Sequence, residues 1–356
     1  MDAAKFHIPA LDGMRGTALL IVLLAHTTPQ IFPGGNIGVD LFFVLSGFLI
    51  TSILLREHDR TGSIGILAFY RRRALRLLPA LFVMVAVVTA YVAAIRPAEL
   101  AKTAMDAVTI VLYVFNFRLV SQWPDSTLHQ PMFSHVWSLS VEEQFYILWP
   151  FVLLLTLSRR RLFAWVLAVG IVGPAVARFF LWESGPSLEL YFRTDLRFDS
   201  LMWGAAGAWL FFTRPGVARL AAMVGLLALL SFLAAARINL LSNGVLYQGG
   251  YSLMLAVATM LILASSAPSS WLRTIMEFRP LRWTGKISYG LYLWHVPMFH
   301  ICGHLPVTGP WKNIVAIALT YGVATISYYG MERYFLALRH PHRRPTVDVV
   351  AQTASR

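Results

Sequence analysis

The chain of 356 residues carries 57% hydrophobic and only 13% charged side chains, with a mean hydropathy of +0.63. Soluble domains carry about 25% charge, which excludes a water-soluble globular fold and predicts an all-α architecture, a polytopic transmembrane helix bundle. The net charge of +13 suits basic loops facing anionic lipid rather than a nucleic-acid footprint, and the lone Cys302 excludes an intrachain disulfide or a thiolate metal cluster.

Apolar stretches near the length that crosses ~30 Å of hydrocarbon fall at roughly 17–33, 37–55, 78–95, 144–157, 162–181, 198–212, 217–236, 246–265, 287–303 and 313–331. A further stretch, 103–120, is decided by charge. If it does not cross, Arg56, Arg60, Arg71, Arg72, Arg73 and Arg76 share a side with Arg159, Arg160, Arg161, Arg214, Arg219, Arg273, Arg279, Arg282 and Lys286. The other side then keeps chiefly Lys102, Arg118, Arg193 and Arg237. The positive-inside rule therefore predicts about ten spans, both termini cytoplasmic, and 103–120 lying in or re-entering from the outer face. Asp12 and Arg15 interrupt any signal-peptide pattern, so the first helix is expected to stay. One membrane-embedded domain is predicted over 1–338, with no appended soluble catalytic domain, followed by a disordered basic cytoplasmic tail over 339–356.

Ionisable groups in apolar surroundings are functional candidates. In LDGMRGTALLIVLLAHT, Arg15 and His26 lie eleven residues apart, nearly the same helical face with a rise of ~16 Å between them. Arg15 either snorkels to the headgroups or serves a site; His26 either satisfies a helix-helix hydrogen bond or titrates. FYRRRALRLLPA at 69–80 sets Arg73 and Arg76 three apart on one face, suited to gripping phosphate beyond ordinary topological decoration. SHVWSLSVEEQFYILWP at 134–150 carries His135, Trp137, Ser138, Ser140, Glu142 and Glu143. One Glu there is accounted for by a helix N-terminus; the other is expected to orient or compensate the His26 imidazole. Asp40, Arg197 and Asp199, with Ser288, Tyr289, Tyr292 and His295 in GKISYGLYLWHVP, complete the polar points. For the two aspartates the competing assignment is pairing with a basic neighbour; for the aromatics it is core or interfacial belt.

Taken in order, LDGMRGTALLIVLLAHT, GVDLFFVLSGFLIT, FYRRRALRLLP, HVWSLSVEEQFYILWP, RFDSLMWGAAGA, KISYGLYLWHVP and MERYF resemble the motif series of the acyltransferase-3 family of integral membrane O-acyltransferases. The resemblance runs from about residue 8 to 335. It implies a bundle of about ten transmembrane helices in a bacterial cytoplasmic (inner) membrane, moving an acyl group from acyl-CoA to a hydroxyl, usually on a sugar. The family's R-x10-H element matches Arg15 and His26, its RxxR element Arg73 and Arg76, and its WSLxxE element Glu142 rather than Glu143. Lys286 stands where Arg or Lys is expected. Many members that acetylate surface glycans carry a C-terminal SGNH hydrolase-like domain.

On this basis His26 is the expected general base, with Glu142 as its partner and Arg15 positioning the donor or stabilising the oxyanion. Arg72, Arg73 and Arg76 are expected to hold the acyl-CoA nucleotide, whose arm would lie along the first helix. His135, Trp137, Asp40, Asp199, Tyr292 and His295 are candidates for substrate binding. The cofactor expectation is acyl-CoA as donor substrate and no metal. The acceptor is a surface or lipid-linked glycan or a glycosylated macrolide-type molecule; membrane lipid is a partner, nucleic acid is not, and no signal of an oligomeric state is present. A proton-coupled transporter using the same Arg, His and Glu is the competing function.

Overall fold

The computed structural model describes residues 7–122, 132–182, 188–214, 216–238, 243–304, 306 and 309–338, so the expected disordered tail lies outside the described residues. Seventeen α-helices follow one another, and no strand occurs among the described residues. They are α1 (Pro9–Thr27), α2 (Ile37–Thr61), α3 (Ile66–Ile95), α4 (Leu100–Val111), α5 (Phe115–Ser121), α6 (Trp137–Thr156) and α7 (Arg160–Leu181). After these come α8 (Leu188–Phe192), α9 (Thr194–Thr213), α10 (Val217–Met223), α11 (Gly225–Ala235), α12 (Tyr251–Ser266) and α13 (Trp271–Met276). The chain continues through α14 (Arg279–Lys286), α15 (Ser288–Cys302), α16 (Pro310–Ser327) and α17 (Arg333–Ala337). Among the described residues, seven helices are long and apolar enough to cross a membrane: α1, α2, α3, α7, and those built on α6, α12 and α16 with their flanking turns. The pair α10 and α11, bent by 66° at the Val224 break, makes an eighth if it forms one span. The architecture is an all-α polytopic bundle.

Several helices start earlier than their apolar runs. α1 begins at Pro9 rather than 17, because a proline in the first turn gives up no hydrogen bond there; it stops before Pro29. α3 begins at Ile66, a full three turns before its apolar run, so Arg71, Arg72, Arg73 and Arg76 all ride on the helix. Hydropathy marks the lipid-immersed part of a helix and is silent on its polar extension.

The 103–120 stretch is broken. α4 has 12 residues and α5 has 7, with Tyr113 between them at φ 55, a left-handed conformation that stops a helix at a non-glycine residue. Neither piece reaches the ~20 residues a span needs. A closed polar network fastens the break to the bundle. Gln144 Nε2 donates to the Tyr113 carbonyl at 2.8 Å and to Asn116 Oδ1 at 3.0 Å; Asn116 Nδ2 donates to Thr194 Oγ1 at 2.8 Å, and Thr194 Oγ1 to Gln144 Oε1 at 2.7 Å.

α2 is the most enclosed of the spanning helices and α7 the least. α2 packs on α9 with backbone close to backbone: a Cβ at Gly204 would strike the Val44 carbonyl, and one at Gly47 the Leu201 carbonyl. Small residues permit this approach, which supplies the packing that a hydrophobic drive cannot supply in lipid. α1 meets α14 in the same manner through Gly16, facing the Leu281 carbonyl, and Gly285, facing that of Asp12.

Two buried ion pairs fill the space between α2, α7, α9 and α12. Asp40 of α2 accepts from Arg197 of α9 and from Tyr251 OH at 2.8 Å; Asp199 of α9 accepts from Arg178 of α7. All four charged residues are at most 1% exposed. The Arg197 guanidinium lies 4.8 to 5.8 Å from the ring centres of Phe43, Trp137, Tyr191 and Tyr251. Two candidate substrate-binding residues, Asp40 and Asp199, thus hold helices together as the partners of buried arginines. Trp137 belongs to the same cage, edge-on to Phe43 and Tyr191 with centroids 5.9 and 4.9 Å away.

Candidate active site

A cavity of about 690 Å³ opens among α1, α2, α3, α6 and α15, within the ~300–1,000 Å³ range of small-molecule sites. Helical spacing lines it: Phe42, Ser46, Leu49 and Ile53 form one stripe of α2, and Ser138, Glu142 and Tyr146 another of α6. Arg15 enters from α1, and Arg72, Arg73 and Arg76 from the first turns of α3. Six of the sequence-predicted residues, Arg15, Arg72, Arg73, Arg76, Glu142 and Tyr292, therefore meet in one space.

The arginines are not equivalent. Arg72 Nη2 donates to Glu57 Oε2 at 3.0 Å, and Glu57 Oε1 accepts from the Gly65 amide at 3.0 Å. That carboxylate thus ties the end of α2 to the start of α3, with Arg72 as part of the tie. Arg73 donates to Glu143 Oε1 at 3.3 Å and lies 3.9 Å over the Tyr146 ring, a held guanidinium with its outer face toward the cavity. Arg15 sits within electrostatic reach of Asp12, Glu142, Tyr146 and Arg73. The result is a cationic mouth whose guanidiniums are oriented by carboxylates on neighbouring helices, an arrangement suited to polyanion binding.

Glu142 does not serve His26 as the sequence suggested. Its Oε1 accepts from Ser46 Oγ at 2.6 Å, and His26 is not among the cavity-lining residues. The physical reason is position: His26 lies in the last turn of α1, while Glu142 faces Arg15 and the arginine mouth. His26 Nδ1 instead contacts the Val22 carbonyl at 2.8 Å. A carbonyl only accepts, so in the neutral ring Nδ1 carries the proton and Nε2 keeps a lone pair.

His26 joins His135 and His295. Its ring centroid is 5.0 Å from that of His295, which lies 4.8 Å from that of His135. Each ring donates one proton to a backbone carbonyl: His295 Nδ1 to Tyr292 O at 2.6 Å, and His135 Nε2 to Leu293 O at 3.0 Å. The remaining nitrogens, His135 Nδ1 and His295 Nε2, are buried without a hydrogen-bond partner. No group of three or more His, Cys, Asp or Glu among the described residues is arranged to hold a metal ion. Lone pairs left unpaired in a buried site are receptive to a hydroxyl donor.

Phe42 is one of the aromatics the sequence offers as pocket-lining, whereas Ser46 and Tyr146 escaped the sequence reading. Their signal was available as the i, i+4 extension of chosen residues: Tyr146 follows Glu142 by four, and Ser46 follows Phe42 by four on a helix otherwise apolar there.

The fold and cavity define an integral membrane protein with an arginine-lined cavity mouth and a nearby cluster of three imidazoles. The sequence profile of the acyltransferase-3 family, an acyltransferase domain, matches residues 8–329, and the chain belongs to that family. It is 36% identical over 349 residues to the peptidoglycan O-acetyltransferase OatA of Listeria monocytogenes, covering 92% of this chain and 56% of the relative. It is 31% identical over 346 residues to the O-acetyltransferase OatA of Staphylococcus aureus, covering 92% and 57%, and 33% identical over 352 residues to a putative O-acetyltransferase of the same species, with the same coverage. The chain thus spans little more than half the length of these relatives. No solved structure matches it.

Proposed function

We propose that this chain is a membrane O-acyltransferase that moves an acetyl or short acyl group from cytoplasmic acyl-CoA to a hydroxyl of a sugar-containing acceptor. The observation that carries the reading is the cavity itself: arginines of α1 and α3 line it, and three clustered imidazoles lie just past Tyr292. Acyl-CoA is polyanionic at its nucleotide and neutral at its thioester, and the cavity has the same polarity. With the arginine-rich end facing the cytoplasm of a bacterial inner membrane, both termini are cytoplasmic and His26 faces outward.

His26 Nε2, the nitrogen left with a lone pair in the neutral tautomer that the Val22 carbonyl selects, takes the proton of the acceptor hydroxyl. The hydroxyl oxygen attacks the thioester carbon, the C–S bond breaks, and the departing thiolate takes up a proton as free CoA. A positioned imidazole base contributes about 10²–10⁴-fold. Arg15, near Glu142 and Arg73, helps place the donor. The relatives' names support an acetyl group as cargo, and the Listeria relative's name supports a glycan acceptor ahead of a glycosylated macrolide.

The test is acyl-CoA-dependent release of free CoA by the purified chain in detergent, which a transporter does not give. His26→Ala is expected to lower turnover by 10²-fold or more while leaving CoA binding intact. Retained turnover in that variant overturns the base assignment.

A further inference from the structure

Tyr292 lies between side chains that line the donor cavity and the rings of the histidine cluster. Tyr292 and Ser138 line the cavity, whereas His26, His135 and His295 do not. On the cavity side, the Tyr292 ring centroid is 6.1 Å from that of Phe42; on the other side it is 5.5 Å from that of His135 and 5.3 Å from that of His295. The ring is pinned at its tip. Tyr292 OH donates to the His135 carbonyl at 2.8 Å and is contacted by Ser138 Oγ at 2.6 Å. Ser138 Oγ also lies 3.3 Å from the His135 carbonyl, so the two hydroxyls share that acceptor and one proton bridges them. The backbone behind the ring is engaged as well, because the Tyr292 carbonyl accepts from His295.

We infer that Tyr292 is the residue that sets acyl-chain length, as the partition through which the acyl group must meet the hydroxyl activated at His26. This rests on the acyl-transfer reading above. Direct attack needs the hydroxyl oxygen and the thioester carbon ~3–3.5 Å apart. A donor lying in the cavity and a hydroxyl held at the imidazoles therefore approach one another at the Tyr292 ring. A two-carbon acyl group asks for little room there. Each added methylene presses against a ring held by Ser138, the His135 carbonyl and Phe42, and overpacked side chains of this kind do not yield freely. Behind the ring, the unpaired His135 Nδ1 and His295 Nε2 offer two acceptors for the hydroxyl that receives the acyl group.

The experiment compares kcat/KM for two-, four-, six- and eight-carbon acyl-CoA donors, using the full chain in detergent and any acceptor the wild type acylates. Tyr292→Ala removes the ring and is expected to raise the six-to-two-carbon ratio about tenfold or more, the discrimination that a methylene or two supports in a packed pocket. Tyr292→Phe keeps the bulk and loses the latch, and is expected to shift the ratio in the same direction by less. A merely structural tyrosine would lower all donors together, so an unchanged ratio in Tyr292→Ala overturns the inference. If Tyr292→Ala does not yield folded protein, Phe42→Ala opens the cavity side of the same partition, and an unchanged ratio there overturns it equally. Failure of the wild type to use any acyl-CoA is a different result: it overturns the acyl-transfer reading and takes the partition with it.

Discussion

Asp40→Asn separates a helix-holding aspartate from a substrate-binding one. The substitution keeps the shape of the side chain and removes the charge that Arg197 and Tyr251 both contact. Arg197, 1% exposed, is then a buried cation without its counter-ion. Breaking such a pair from one side costs ~3–5 kcal/mol. The four rings around the guanidinium, 4.8 to 5.8 Å away, return part of this, since a desolvated cation–π contact is worth up to ~2 kcal/mol. The expected loss is therefore about 3 kcal/mol. Removing both charges with Asp40→Leu and Arg197→Met should cost about 1 kcal/mol or less, because a buried pair replaced by apolar groups of similar volume is often neutral. Unfolding by SDS titration in detergent micelles, followed by tryptophan fluorescence, gives both values. An Asp40→Asn protein with unaltered stability and a raised acceptor KM would refute the reasoning and return Asp40 to the substrate.

Arg73→Ala combined with Arg76→Ala should raise the donor KM with a smaller effect on kcat; an unchanged donor KM in steady-state kinetics reduces these arginines to topology. Glu142→Gln and Ser46→Ala act on one 2.6 Å hydrogen bond, so their effects on turnover should be non-additive by ~0.5 kcal/mol or more, and simple additivity in a double-mutant cycle counts against that bond. Gly204→Val drives a side chain into the Val44 carbonyl and should abolish monodisperse protein on size exclusion, whereas Gly173→Val, with open space around its Cβ position, should behave as wild type.

The sequence made the bundle legible because lipid imposes its own composition on every crossing helix. Charge asymmetry also told that 103–120 does not cross straight, and the break at Tyr113 agrees. Arg15, Arg73, Arg76 and Glu142 were legible as a group from their motifs, and the cavity gathers them. Two kinds of information were not local. The pairing of Asp40 with Arg197 joins positions 157 residues apart, and only the packing of α2 on α9 makes them neighbours. The partner of His26 was sought in a carboxylate because acid–base chemistry favours one, yet the helix's own Val22 carbonyl orients the ring. Helix starts were missed wherever a polar turn precedes the apolar run, as at α1 and α3.

The buried charges of α9 also bear on how the protein is made. An arginine or aspartate costs ~2.5–3.5 kcal/mol to insert at the centre of a helix and less toward its ends; α9, with Asp195, Arg197 and Asp199 in its first two turns, is not among the helices apolar enough to qualify for a crossing by themselves. Its counter-charges come from segments synthesised earlier, Asp40 on α2 and Arg178 on α7. Ribosomal order therefore delivers each partner before α9 emerges, and α9 is expected to dock against helices already made. Losing Asp40 or Arg178 would show first as a topological error in nascent chains, before any deficit in the finished protein's chemistry.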